Sequence, residues 1–204
     1  MIAIIDYGVG NLFSLCCSLK HIGCDAVITG DAAAIKKSDR MLLPGVGAFA
    51  DAASMLRGAG LDAVVIEEAR KGKPLLGVCL GMQMLFGKSF EFGEHEGLGL
   101  LQGVVAPIKP RIPPDYKIPH IGWNSLCLPE GKMSSLFKYI RDGDYVYFVH
   151  SFHAEDCAES VIATTGYGAE LTAAVGHKNI FGTQFHPEKS GETGLNILRA
   201  FAEI

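Results

Sequence analysis

Short apolar runs alternate with helix-patterned segments through the first half of the chain. That alternation narrows the fold more than any other feature. Ile2–Asp6 is apolar up to Asp-Tyr-Gly and predicts a buried strand, and Asn11–His21 follows with helical spacing at Leu12, Leu15 and Leu19. Ala26–Thr29 and Arg40–Leu43 predict two more strands, the second stopped by Pro44-Gly45. Phe49–Arg70 predicts helix interrupted near Gly58–Gly60, Pro74–Val78 a strand, and Met82–Phe86 the start of another helix. In the second half Val104–Ile108, Ser125–Leu128, Tyr145–His150, Val161–Thr165, Thr172–Val175 and Ile180–Gln184 read as short strands separated by turn residues. Leu195–Phe201 closes as a helix, and the Pro-rich segment Pro107–Pro119 predicts a surface loop. The expectation is α/β. A single open, mostly parallel central sheet is flanked by helices, with additional antiparallel strands in the C-terminal half, all in one domain over residues 1–204.

Composition removes several functions. The formal net charge is −4 and no block of basic residues occurs, which argues against nucleic acid or an anionic membrane as partner. No apolar run approaches the ~18–20 residues of a membrane span. The opening MIAIIDYG lacks a positive n-region and a small-residue cleavage site, so a cytoplasmic location is expected. None of the six cysteines forms a C-x-x-C pair, which removes zinc and thioredoxin-like readings. Cys16, Cys17, Cys24, Cys127 and Cys157 are expected to be small buried hydrophobes.

Cys79 differs from the other five. It stands in Gly77-Val78-Cys79-Leu80-Gly81, where an apolar strand ends and a helix is predicted to begin. A strand followed by Gly-x-nucleophile-x-Gly is the nucleophile elbow. The chain reverses in about one residue, the nucleophile takes a strained conformation, and side chains two residues to either side would collide. The amides and positive end of the following helix favour thiolate over thiol, so Cys79 is a candidate covalent nucleophile. The plain alternative is a buried cysteine in a Gly-rich turn.

A cysteine nucleophile needs a base close in space. Gln184-Phe185-His186-Pro187-Glu188 follows a β-type run near the C-terminus. In extended chain His186 and Glu188 project to the same side. A carboxylate there can fix the imidazole tautomer and leave its other nitrogen for the cysteine. A lone His-x-Glu is otherwise a surface pair.

GVCLGMQ, with PGVGAF upstream and QFHPEKS near the C-terminus, resembles the class I glutamine amidotransferases. IIDYGVGN at Ile4–Asn11, PHIGWN at Pro119–Asn124 and YFVHSF at Tyr147–Phe152 extend the likeness to the glutaminase subunits of imidazole glycerol phosphate synthases. The resemblance covers essentially the whole chain. It implies catalytic roles for Cys79, His186 and Glu188. It also implies an oxyanion loop at Gly45, Val46 and Gly47, with Leu80 as second amide donor. Gln83 would hold the substrate glutamine, and the backbone of Ser151 and Phe152 would meet its amino-acid end. The family often carries Thr-Tyr at that pair, so a hydroxyl is absent here. Asn11, Trp123, Tyr147 and Lys189 match positions that meet the synthase partner. His120 and His150 lie in family motifs but are expected to be structural.

Three phosphate-site look-alikes fail. The loop Pro44–Phe49, with Ala50 after it, matches G-x-G-x-x-A from Gly45 but does not follow the first strand, and Gly8-Val9-Gly10 has Phe13 where a third glycine belongs. Gly87-Lys88-Ser89 ends like a P-loop, but Gly81 lies one residue too far upstream and the segment between reads as helix.

The implied reaction is hydrolysis of L-glutamine to glutamate and ammonia through a γ-glutamyl thioester, with no metal, nucleotide or organic cofactor. The implied partner is a (β/α)8-barrel cyclase subunit, in a heterodimer that makes imidazole glycerol phosphate for histidine. Three alternatives remain at this stage: a paralogous glutaminase serving another synthase, such as surface-sugar amidation; a non-catalytic regulatory subunit; and a cysteine hydrolase of other small amides.

Overall fold

The computed structural model describes residues 1–131 and 133–204. In chain order the elements are β1 (Ile2–Ile5), α1 (Leu12–His21), β2 (Ala26–Thr29), α2 (Ala32–Lys37), β3 (Arg40–Leu43), α3 (Phe49–Gly58), α4 (Leu61–Arg70), β4 (Leu75–Val78) and α5 (Leu80–Gln83). They continue with β5 (Phe86–Ser89), β6 (His95–Glu96), β7 (Leu101–Pro107), β8 (His120–Ser125), β9 (Tyr145–His150) and β10 (Phe152–Glu155). β11 (Val161–Gly166), β12 (Glu170–His177), β13 (Ile180–Thr183) and α6 (Gly191–Ala202) complete the chain.

The central sheet has seven strands in the order β11-β12-β13-β4-β3-β1-β2. Pairings from β13 across to β2 are parallel, and β11-β12-β13 are antiparallel, as the sequence predicts. Strands β1 and β4 are buried at every position, which is why they read as continuous apolar runs rather than alternating ones. Successive side chains still divide between the faces. Ala3, Ile5, Met41, Leu43 and Leu75 pack with residues of α2, α3 and α4. Ile2, Ile4, Leu42, Leu76 and Val78 pack with Leu15 and Leu19 of α1 and Ile197, Leu198 and Phe201 of α6.

The interruption expected near Gly58–Gly60 is present: α3 and α4 are separated where Gly60 takes φ 68°. Several other boundaries differ from the sequence reading. The helix expected to start at Met82 is the single turn α5, and Phe86–Ser89 is a strand paired with β6 and β7. Lys88 and Ser89 of the P-loop look-alike therefore lie in a sheet, not a helix. The strand expected at Ser125–Leu128 lies one segment earlier, as β8, paired antiparallel with β9. That two-stranded ribbon leaves Ile121 and Trp123 exposed, so no clean alternation marks it. The short α2, capped by the Asp31 carboxylate on the amides of Ala33 and Ala34, gives too few apolar positions to be read. Strands β5, β6, β7 and β10 form a separate four-stranded sheet beside the central one.

Of the five cysteines expected to be buried, Cys16 and Cys157 are, Cys24 is half-buried, and Cys17 and Cys127 are exposed. Cys17 sits on the outer side of α1, and Cys127 follows the misplaced strand. Among the described residues no helix is long and apolar enough to cross a membrane.

Candidate active site

Strand register brings the candidate residues together. Thr183 pairs with Val78 across β13 and β4, so Gln184-Phe185-His186 leaves the sheet beside Cys79. Cys79 N–H donates to Thr183 O at 2.7 Å. On the other side Leu43 pairs with Gly77, which sets Pro44-Gly45 against the turn after β4. Three chain segments distant in sequence meet at the carboxyl end of one sheet, where ligands bind in folds of this kind.

The elbow has the geometry that its glycines imply. Cys79 takes φ 55°, ψ −110°, outside the ordinary regions for a side-chain-bearing residue. Such strain costs about 1–3 kcal/mol, and the surrounding structure must enforce it. A Cβ on Gly77 would lie 2.6 Å from Gly81 O, and one on Gly81 would overlap Leu43 O. Because α5 is a single turn, it brings the unpaired amides of a helix start, Leu80 among them, but not the long dipole expected from the sequence.

Cys79 and His186 line a cavity of about 290 Å³, together with Val46, Gly47, Leu80, Gln83, Glu91, Pro119, Val149, His150, Ser151 and Phe152. His186 is buried, and its Nδ1 lies 2.9 Å from Glu188 Oε1. Burial opposes a charge on this imidazole. Hydrogen bonds and attraction to Cys79 and Glu188 outweigh it and hold the His186 pKa up at about 9. An imidazolium held beside the sulfur is the arrangement that activates a cysteine nucleophile.

Gln83 is buried, and its amide nitrogen is committed inward. It donates to Phe152 O at 3.2 Å and to Gln184 Oε1 at 3.0 Å. Only its oxygen remains to meet a ligand. His150 Nδ1 lies 2.8 Å from the same Phe152 carbonyl, and its Nε2 lies 2.9 Å from His120 Nδ1. Burial pulls His150 down to about 3, so it is neutral. The carbonyl then fixes the proton on His150 Nδ1, and His150 Nε2 accepts from His120. His150 braces the Phe152 carbonyl, and His120 supports His150 from behind.

Of the residues matched to a partner surface, Trp123 and Tyr147 are cross-strand neighbours with ring centroids 6.0 Å apart, and Lys189 Nζ lies 5.9 Å from the Tyr147 ring. They form one patch beside Glu188, with Trp123 half exposed. Asn11 instead turns inward and donates to Glu188 Oε1 at 3.3 Å. Gly45 lies behind the cavity, against Gly81.

Sequence reasoning overlooked three residues here. Gln184 is fully buried, and its Nε2 lies 3.8 Å from Cys79 Sγ. Its place two residues before His186 on a strand end was a usable signal. Ser190 donates to His186 O at 2.6 Å and accepts from Tyr147 N–H at 2.9 Å, fixing the turn that carries the imidazole. Glu91 is the one carboxylate among the cavity's lining residues, and no local pattern marks it.

The match to known proteins agrees with this architecture. The family model for class-I glutamine amidotransferases matches residues 3–204. Imidazole glycerol phosphate synthase subunit HisH from Caldanaerobacter subterraneus subsp. tengcongensis is 50% identical over 100% of this chain and 98% of its own. The subunit of the same name from Wolinella succinogenes is 47% identical over 100% of both chains. Among solved structures, a glutamine amidotransferase superposes with a TM-score of 0.76 at 18% identity, over 100% of this chain and 99% of that one. PurLQS from Thermotoga maritima gives 0.72 at 19% identity, over 99% and 97%. At such identities the superpositions bear on the fold alone. The chain belongs to the class-I glutamine amidotransferase family, and within it to the HisH subunits of imidazole glycerol phosphate synthase.

Proposed function

We propose that this chain hydrolyses L-glutamine with Cys79, His186 and Glu188 and delivers the ammonia to a (β/α)8-barrel cyclase that makes imidazole glycerol phosphate. The observation that carries the reading is the strained cysteine and the carboxylate-backed imidazole facing one cavity of about 290 Å³. The Cys79 sulfur attacks the side-chain amide carbon, and the C–S bond forms as charge moves to oxygen. Amides at Gly47 and Leu80 receive that oxyanion. The C–N bond then breaks, and His186 gives its proton to the departing nitrogen, releasing ammonia. Water loses a proton to His186 and opens the thioester, which returns the sulfur and releases glutamate. Glu188 keeps the imidazole in register, and the oxygen of Gln83 accepts from the substrate.

Glu91 supplies the negative partner for the α-ammonium of glutamine. Glu91→Gln retains an acceptor for Phe49 N–H but loses the charge. It is expected to raise KM for glutamine by about 10–100-fold, the worth of one charge-assisted hydrogen bond, with kcat changed far less. A KM within twofold of wild type removes this role.

Free ammonia is protonated in water and lost, so a partner that closes over the site fits the chemistry. The exposed patch of Trp123, Tyr147 and Lys189 adjoins Glu188 and suits such docking. The test is glutamate release from L-glutamine by the chain alone, then with a barrel cyclase and its nucleotide ligand. Turnover is expected to be low alone and to rise strongly in the complex. A rate that the cyclase leaves unchanged sinks the partner while the hydrolysis stands. Coupling of this kind is reciprocal, so glutamine is expected to tighten binding of the cyclase ligand.

A further inference from the structure

The loop after β3 is fixed at both ends by side chains from elsewhere in the chain. At its start Tyr7, from the turn after β1, donates its hydroxyl to Pro44 O at 2.7 Å in a buried contact. At its far end Glu91 Oε2 accepts from Phe49 N–H at 2.6 Å. That contact caps α3, which Ala48 has no side-chain oxygen to do. Between the anchors Gly45, Val46, Gly47 and Ala48 belong to neither strand nor helix before α3 begins.

The loop is tight at one end and open at the other. A Cβ on Gly45 would lie 2.7 Å from Gly81 N, so the backbone there is pressed against the elbow. Gly47 takes φ +93°, and a Cβ there would meet nothing within 4 Å. The peptide group is planar and trans, so fixing the Pro44 carbonyl also fixes the direction of the Gly45 N–H. Rotation is left to the peptides between Gly45 and Ala48. Gly47, with its amide, is among them and lines the cavity. Burial and the neighbouring Cys79 push the Tyr7 hydroxyl well above its ordinary range, so it stays a donor at any working pH.

We infer that Tyr7 is a positioning residue: its hydroxyl holds the Pro44 carbonyl so that the Gly47 amide meets the oxyanion of the thioester-forming step. The inference rests on the glutaminase reading above. Tyr7 is not among the residues lining the cavity, so it acts through the loop rather than on glutamine. Losing an oxyanion donor outright costs ~10²–10³ in rate, and a donor merely left unfixed costs less.

Tyr7→Phe removes the hydroxyl and keeps the ring. Glutamate release is measured on the chain alone and in the cyclase complex, alongside the rate of Cys79 alkylation by iodoacetamide. Alkylation is displacement at a saturated carbon, develops no oxyanion, and so reports on the thiol alone. In Tyr7→Phe, kcat is expected to fall about 10–100-fold with KM for glutamine and the alkylation rate within about twofold of wild type. Wild-type kcat in the variant overturns the inference while the glutaminase reading stands. A parallel loss of alkylation overturns it too, because Tyr7 would then act on the thiol. Unfolding of the variant at the assay temperature overturns it in favour of a purely structural tyrosine. Absence of Cys79-dependent glutamate from the wild-type chain in both states removes the glutaminase reading, and this inference falls with it.

Discussion

Glutamine hydrolysis by Cys79→Ala is expected to fall about 10⁴–10⁶-fold, the scale on which loss of a catalytic nucleophile acts. Alanine keeps the Cβ and removes only the sulfur, so the strained backbone at φ 55° has the same shape to hold. The cavity, Gln83 and Glu91 are untouched, so glutamine binding is expected to survive. The pair of measurements is glutamate release and glutamine affinity. A trapped γ-glutamyl thioester, seen by mass spectrometry in wild type and absent from the variant, identifies the sulfur as the attacking atom. Residual turnover within tenfold of wild type would falsify the covalent route. The variant also loses one of the two groups that hold a proton on His186.

Turnover is expected to decline tenfold per pH unit above about 9, because the departing nitrogen needs the proton that His186 carries. The same group links stability to pH. Its pKa in the fold, about 9, lies above the ordinary 6.5. The stabilisation it brings is therefore complete below pH 6.5 and is lost as pH rises through 9. Two variants separate the contributions. Glu188→Gln keeps an oxygen near His186 Nδ1 but removes the charge, so the alkaline limb of activity is expected to move to lower pH. Cys79→Ala is inactive, but its unfolding midpoint is expected to fall less above pH 6.5 and to level off at lower pH than that of wild type. A wild-type pH–rate profile flat through about pH 10, or a Glu188→Gln limb that does not move, sinks the assignment of His186 as the proton donor.

Local chemistry made Cys79, His186 and Glu188 legible. Gly77 and Gly81 mark a turn too tight for side chains, and the two-residue spacing of His186 and Glu188 sets both on one side of extended chain. The parallel half of the central sheet was legible for a similar reason, since strands buried on both faces read as unbroken apolar runs. Helix α2 and strands β5, β6 and β10 were not legible. They are short, and charged residues break any period: Glu96 of β6 is exposed and Glu155 of β10 half-exposed. The ribbon β8–β9 escaped in part because its exposed face carries Ile121 and Trp123, which a solvated strand does not predict.

Residue type and order alone determined that this chain builds a strand-to-helix elbow with a cysteine at its tip and carries a histidine backed by a carboxylate. Those features depend on neighbours within a few residues, where sterics and side-chain direction act without knowledge of the rest of the fold. Only the tertiary structure decided which distant groups stand against them. Register across β13 and β4 sets Gln184 beside Cys79. The turn after β1 delivers Tyr7 to Pro44 and Asn11 to Glu188, and an irregular segment brings Glu91 to the cavity and to Phe49. None of these pairings has a local cause. Each follows from packing the sheets and their covering helices together, which fixes where loops far apart in sequence must meet.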